Sequence, residues 1–263
     1  MGLLSSLSSQ GQRARGVTRA GERERTEDPA QDERSGPGTA NERAGSACED
    51  PAEVLAKLER QFVQVFALVG EAIAGATHAL LACDRDAAKQ LMARDDLVDE
   101  AIAEITSVAQ DELVSGKTTE QQRRELVTLL RMLPDLDRNG DLAEHVARRA
   151  ARGLGAEMSP RSRGLVERMG EVAAAIWASA GDAVAERSVH AAGVVDALDD
   201  ELDDLHVSLT AELATGSMPV PVAIELAMIA RFYERFGDHA VNLVRRMAAL
   251  AGGGPEPGGA GTD

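Results

Sequence analysis

From Leu55 to Leu80 the apolar residues fall at steps of three and four: Leu55, Leu58, Phe62, Val65, Phe66, Val69, Ile73, Ala76 and Leu80. A stripe with this period makes an amphipathic helix that must bury one side along its whole length. It needs a layer of comparable length to pack against. A sheet is poorly supplied, because aromatic residues are 2% of the 263 and Ala, Leu and Val dominate the 44% that is apolar. Strands draw on β-branched and aromatic side chains, so the composition points to an all-α chain.

Capping signals divide the periodic block into six expected helices. Asp50 before Pro51, with Glu53 following, opens the first, which ends near Cys83. A second starts at Asp84 or Asp86 and runs to Ser115, before Gly116. Thr119 with Gln122 caps a third that reaches Arg152. Ser159 and Pro160 begin a fourth that ends near Ala180; Asp182 begins a fifth that stops before Gly216; a sixth runs from Pro219 to Ala251. Long helices with short connections pack as antiparallel bundles. We therefore expect two three-helix repeats, 50–155 and 156–251. Residues 1–49 are rich in Arg, Glu, Gly, Ser and Pro and nearly devoid of apolar residues after Leu7, so they are expected to form a disordered tail; 252–263 are read as a second, flexible tail.

Within this pattern, acidic pairs recur in the same order in each half. "RDDLVDEAIAEI" on the second helix parallels "LDDELDDLHVSL" on the fifth, and "LDRNGDLAEHVARR" on the third parallels "YERFGDHAVNLVRR" on the sixth. Asp95 and Asp99, Asp137 and Asp141, Asp199 and Asp203, and Glu234 and Asp238 are each four residues apart. That spacing puts both carboxylates of a pair on one helix face, where like charges destabilise an isolated helix by about 0.2–0.5 kcal/mol. A cation, or Arg138 and Arg235, would offset the repulsion. If the second and third helices of a repeat face each other, Asp95, Asp99, Asp137 and Asp141 converge in one half, and Asp199, Asp203, Glu234 and Asp238 in the other. All-oxygen donor sets suit Mg, Ca, Mn or Fe, and carboxylates also bind Zn. Gly140 and Gly237 leave room for a close approach beside the acids. A single Asp-x-x-x-Asp pair is ordinarily a solvated helix face; four pairs in repeated order weigh against that. Asp96, Glu100, Asp200 and Asp204 are expected to face water.

The remaining features narrow the function classes. Net charge is −16 and the sequence pI about 4.8. Such a surface repels phosphate backbones and attracts divalent cations or basic protein surfaces. Cys48 and Cys83 form no C-x-x-C, which fits a reducing compartment without a disulfide framework. No run of 18 apolar residues is present, so no membrane span is expected. The apolar stretch of "MGLLSSLSSQ" is too short for a secretory signal, and its weak myristoylation match is best explained by chance. No nucleophile elbow, phosphate-binding loop or dinucleotide fingerprint occurs, so the chain is not read as an enzyme. Of His78, His145, His190, His206 and His239, none has Glu three residues before it, which argues against a di-iron oxidase bundle. His206 and His239 are auxiliary candidates at the second acidic set, against an expectation of satisfied or surface histidines. Phe232, Tyr233 and Phe236 are expected to pack against Trp177 as core, with a possible approach of the Tyr233 hydroxyl to a carboxylate.

On these residues the chain resembles the PhoU family of phosphate-signalling accessory proteins. "ERFGDHAVNLVRRM" matches the family's Glu/Asp-Arg-x-Gly-Asp signature, "DLDRNGDLAEHVARR" is similar to its first-repeat version, and "DDLVD" and "DDELD" match the acidic stretch of the preceding helix. The resemblance covers about residues 52–250. It implies two pseudo-symmetric three-helix repeats whose acidic motifs bind metal ions, in some members as multinuclear clusters. It further implies a non-enzymatic, cytoplasmic negative regulator linking a phosphate ABC transporter to a sensor histidine kinase. Exposed apolar stripes on such a bundle add the expectation of a homodimer. The alternatives are a metal-dependent carboxylate-bundle enzyme and an inert helical scaffold. The first repeat departs from the pattern: Asp137 stands where Glu is usual, Asn139 where an apolar residue is typical, and Pro134 lies inside the third helix. A proline kink there would threaten the register of Asp137.

Overall fold

The computed structural model describes residues 50–186 and 192–252. The expectations for both tails, Cys48, His190 and the amino-terminal myristoylation match lie outside the described residues. Within them the chain is helical, with no strand. The helices are α1 (Pro51–Ala82), α2 (Arg85–Met92), α3 (Asp95–Ser115), α4 (Glu120–Arg152), α5 (Pro160–Glu186), α6 (Ala192–Ala214) and α7 (Val220–Gly252), with a short 3-10 turn at Leu154–Glu157.

The ends follow local chemistry. The Asp50 carboxylate accepts from the Ala52 N–H, and Asp84 accepts from those of Asp86 and Ala87. Thr119 and Gln122 form a reciprocal capping box, and the Ser159 hydroxyl accepts from the Ser162 N–H. Gly116, Gly153 and Gly216 close helices or follow them in the left-handed conformation. Cys83 takes this conformation too, at φ 56°.

Two boundaries differ from the sequence reading. The expected second helix is broken into α2 and α3. At Ala93 and Arg94, ψ is close to zero, and the Arg94 and Leu97 N–H groups bond three residues back instead of four. No Gly or Pro marks the break. It places Asp95 and Asp96 in the first turn of α3, where the helix dipole favours negative charge. The fourth rod continues past Ala180, and Asp182 lies inside α5 instead of starting a helix. Pro134 does not interrupt α4, which stays continuous from Glu120 to Arg152. On the turn before the proline, the Arg131 carbonyl receives Arg246 Nη1 from α7 at 3.0 Å.

The helices share one apolar core. α1 packs on α3, α4 and α5; α4 packs on α7; α5, α6 and α7 pack on one another. α1 is long and apolar enough, by composition, to cross a membrane, but its apolar stripe is buried against the other helices. α1 and α5 cross at matching glycines in "GEAIAG" and "GEVAAA". A Cβ on Gly70 would meet Trp177 Cδ1 at 2.9 Å, and one on Gly170 would meet Thr77 Cγ2 at 2.3 Å. The Trp177 indole stacks on Phe66 with centroids 4.0 Å apart, donates to the Phe66 carbonyl at 2.8 Å and tilts against Phe236 at 5.0 Å. The expected Phe236–Trp177 contact is therefore present. Phe232 instead lies beside His145, under the Arg149 guanidinium. The Tyr233 hydroxyl meets no carboxylate. It donates to Thr77 Oγ1 at 2.7 Å, and Thr77 in turn donates to the Ile73 carbonyl.

Candidate metal centres

α3 meets α4, and α6 meets α7, each pair turning its acidic motifs toward the other. Gly237 governs the approach in the second half: a Cβ there would meet Asp199 Oδ1 at 2.8 Å and Leu202 Cδ2 at 2.9 Å. Gly140 plays the matching part more loosely, with Val98 Cγ1 at 3.5 Å and Asp95 Oδ1 at 3.8 Å from the same imagined atom. In both halves, then, the first aspartate of one motif and the apolar residue three positions on fold over the glycine of the other. The room inferred at these glycines is taken up by the neighbouring helix.

Electrostatics report the same convergence. Partial burial, then the charges of Asp99, Glu144 and Asp141, raise the Asp95 carboxyl to about 6. Burial, Asp238 and Asp203 likewise raise Asp199 to about 6, against the pull of Arg245. Asp137 is pushed up by burial, Asp141 and Asp99. Asp203 is pushed up by burial and Glu234, and Asp238 by burial, Glu234 and Asp203. Asp137 thus keeps its place among the acids of its own half despite Pro134. Asp96, Glu100, Asp200 and Asp204 are exposed, as expected.

Five cations temper the repulsion. Arg138 acts on Asp137, and Arg235 on Asp238. Arg148 grips both oxygens of Glu144 at 2.6 and 2.7 Å, Arg231 contacts both oxygens of Glu234, and Arg245 reaches Asp196 at 3.4 Å. The last three were not read from the sequence, and neither was Glu144. Their signal was available: Glu144 lies three residues after Asp141, and Arg231 three before Glu234, so each shares the acidic face.

The histidines part company. His206 Nδ1 lies 3.7 Å from Glu234 Oε2, at the edge of the second acidic set. His239 is buried at the α4–α7 crossing, where its Nδ1 pairs with Asn139 Oδ1 at 2.7 Å. Asn139 Nδ2 donates to the Phe236 carbonyl at 3.1 Å, so the unusual Asn is a satisfied core residue. Burial, with Arg235, Arg138 and Arg246 nearby, lowers His239 to about 4 and keeps it neutral. On the same interface, buried Asp135 is bound by Arg246, with Arg138 at 3.7 Å. Burial still holds the Asp135 carboxyl above its ordinary value.

Among the described residues, no three His, Cys, Asp or Glu side chains are gathered to hold an ion. The acids share faces without closing on a point. Their chemistry nonetheless fits a hard cation: oxygen donors come from two helices, and burial and mutual repulsion hold five of the carboxyls above their ordinary range.

Comparison with known proteins agrees with the repeated motif. The PhoU domain family matches residues 62–150 and again 166–247. "Phosphate-specific transport system accessory protein PhoU homolog 2" of Mycobacterium tuberculosis is 32% identical over 204 residues, 76% of this chain and 96% of that protein. The PhoU homolog of Rhizobium meliloti is 29% identical over 78% of this chain and 89% of its own length. The crystal structure of PhoU from Pseudomonas aeruginosa superposes with a TM-score of 0.72 at 26% identity, covering 78% of this chain and all of that one. The phosphate transport system regulatory protein PhoU from Streptococcus pneumoniae, 20% identical, shares the fold at a TM-score of 0.69 over 78% of this chain and 98% of that one.

Proposed function

The chain belongs to the PhoU family, and from that premise we propose that it is a metal-binding negative regulator of phosphate uptake. It is a PhoU-type accessory protein of phosphate transport, and the relatives compared above carry accessory or regulatory names. In the finer reading it works as a homodimeric adaptor in the cytoplasm. It meets a phosphate ABC transporter and a sensor histidine kinase, and keeps the kinase quiet when phosphate is plentiful.

The observation that carries this reading is the doubled acidic face. Burial, with the charges of Asp99 and Asp141, raises the carboxyls of Asp95 and Asp137, and burial, with neighbouring acids that include Glu234, raises those of Asp199, Asp203 and Asp238 across paired helices. These eight residues would hold Fe, Mn, Mg or Zn, with Glu144 and His206 beside them. A bound cation would supply charge neutralisation, fixing α3 against α4 and α6 against α7. No group in either centre is arranged as a nucleophile, so the cation is read as structural and regulatory.

The test has two parts. Elemental analysis of the freshly purified full chain should find metal that EDTA removes and that Asp199→Asn with Asp238→Asn reduces. Deletion should derepress phosphate-regulated genes in phosphate-rich medium, and co-expression pull-downs should recover the transporter and the kinase. A protein without metal, capturing neither partner and leaving those genes unchanged on deletion, would falsify the proposal. Turnover of oxygen or a phosphoester by the loaded protein would instead favour an enzyme.

A further inference from the structure

The acidic face of the second half continues toward the α6–α7 turn as an apolar strip. On α7, Val220, Ile224, Glu234 and Asp238 fall on one side of the helix by periodicity. On α6, Val207 lies one turn beyond Asp203, and His206, Val207, Thr210, Ala211 and Ala214 line a shallow depression of about 430 Å³. These are not ordinary half-covered aliphatics: Val207 is 68% exposed, Val220 70% and Ile224 58%, with Met228 beside them at 40%.

The first half exposes Val114 at 86% and Val127 at 41%, but its matching positions are mostly small or polar. With the halves aligned on Asp95 and Asp199, the places of Val207, Ala211 and Ala214 are held by Ala103, Ser107 and Gln110. Aligned on Gly140 and Gly237, those of Val220, Ile224 and Met228 are held by Arg123, Val127 and Arg131. Two repeats share their core and their acids, yet the second sets Val207, Val220, Ile224 and Met228 where the first has Val127 as the one large apolar residue at the matching positions. Solubility does not call for that difference, and exposed apolar runs rimmed by charge are where proteins dock.

We propose that this α6–α7 face is the docking surface for a basic amphipathic segment of a partner protein. Apolar side chains of the segment seat on Val207, Ala211, Val220 and Ile224, and its Lys or Arg residues reach Asp200 and Asp204, the exposed rim acids outside the proposed metal set. Charge selects the occupant. The rim carries Asp199, Asp200, Asp203 and Asp204 on α6, opposed on that side by Arg231, Arg235 and Arg245, which already serve Glu234, Asp238 and Asp196. A second copy of the same face would bring these carboxylates against one another, and an anionic lipid surface or a nucleic acid would be repelled. A cationic helix with apolar residues every third or fourth position complements both halves of the strip. The proposal rests on the adaptor reading and names the chemistry one partner must present.

The probe is a short fluorescent Leu/Lys amphipathic helix, with a Leu/Glu helix of the same pattern as its counterpart. The full-length chain should bind the Leu/Lys helix, and Val207→Ser with Ile224→Ser should weaken that binding about tenfold or more. Val127→Ser, at the position matching Ile224, should leave it unchanged. Both altered sites are exposed, and circular dichroism confirms that each variant is folded. Equal binding to all three chains, or equal binding of the Leu/Glu helix, overturns the proposal. So does loss of self-association in the Val207→Ser, Ile224→Ser chain by analytical ultracentrifugation, which would make a second copy the occupant. In cells, deletion of the whole chain separates the two readings. If deletion derepresses the phosphate genes but the probes do not discriminate, the surface is misplaced and the adaptor reading stands. If deletion changes nothing, the adaptor reading fails whatever the probes report.

Discussion

Replacing Gly237 by Ala tests the geometry of the second centre against that of the first. In a helix interior the change should gain up to about 1 kcal/mol from propensity alone. Against that gain, the new Cβ would lie 2.8 Å from Asp199 Oδ1, 2.9 Å from Leu202 Cδ2 and 3.4 Å from Ile176 Cδ1. The Asp199 side chain can swing away, but Leu202 is fully buried and must push α6 outward. Overpacking of this kind costs about 1–3 kcal/mol. The net loss is therefore roughly 0–2 kcal/mol. Gly140→Ala is the internal control, because its Cβ would stand at ordinary contact distance, 3.5 Å from Val98 and 3.8 Å from Asp95. It should stabilise by roughly 0.5–1 kcal/mol. The two variants should then differ by roughly 1–3 kcal/mol. For a folded block of this size that is on the order of 3–9 °C in melting temperature. Urea unfolding of both variants in EDTA, followed by circular dichroism, reads the difference without involving metal. If Gly237→Ala matches or exceeds Gly140→Ala, α6 does not press on that glycine and the second acidic face is looser than described.

Three further outcomes follow from buried polar groups and from the raised carboxyls. Thr77→Val, which strands the Tyr233 hydroxyl in the core, should cost about 1–3 kcal/mol; Tyr233→Phe should cost about 1 kcal/mol, because Thr77 still donates to Ile73. The reverse order in denaturant unfolding would contradict the assigned bond. Arg246→Ala leaves Asp135 charged and buried, and should cost roughly 2 kcal/mol, less than a fully buried pair because Arg246 is a third exposed; Asp135→Asn should cost less in the same assay. In EDTA, the stability given by Asp95 and Asp199 is fully present below about pH 4 and is lost as pH rises through about 6, because both bind protons more tightly folded than unfolded. His239, lowered to about 4, works the other way, its stability present above about 6.5 and lost as pH falls through 4. Urea midpoints across this range should therefore rise from pH 7 toward 5 in the native chain. They should fall in the Asp95→Asn, Asp199→Asn chain, and parallel curves would refute the assignment.

The helical block was legible because its signals are local. Stripe, cap and glycine occur within a few residues of one another, and Asp50, Thr119 and Ser159 all cap where the sequence places them. The pairing of acidic motifs was legible because the sequence states it twice. What escaped depends on distant residues or on weak local preference. The break before Asp95 has no breaker residue and shows only in backbone angles at Ala93 and Arg94. Asn139 looked like a flaw in the first motif because its partners, Phe236 and His239, lie about a hundred positions away. Pro134 looked like a threat to register, yet the helix runs through it, with Arg246 from α7 bonded to the Arg131 carbonyl. The sequence named the eight candidate carboxylates. It did not reveal how Arg148, Arg231 and Arg245 are divided among their neighbours, which is a matter of side-chain reach across and along the helices.

The glycine crossing of α1 and α5 has a mechanical consequence. With no side chain at Gly70 or Gly170 to act as a spacer, backbone meets side chain directly, and Trp177 and Thr77 key each helix into the other. Sliding one half along the other would drive an indole or a threonine methyl group into a neighbouring turn. The central joint thus behaves as a pinned axle that resists sliding along either helix.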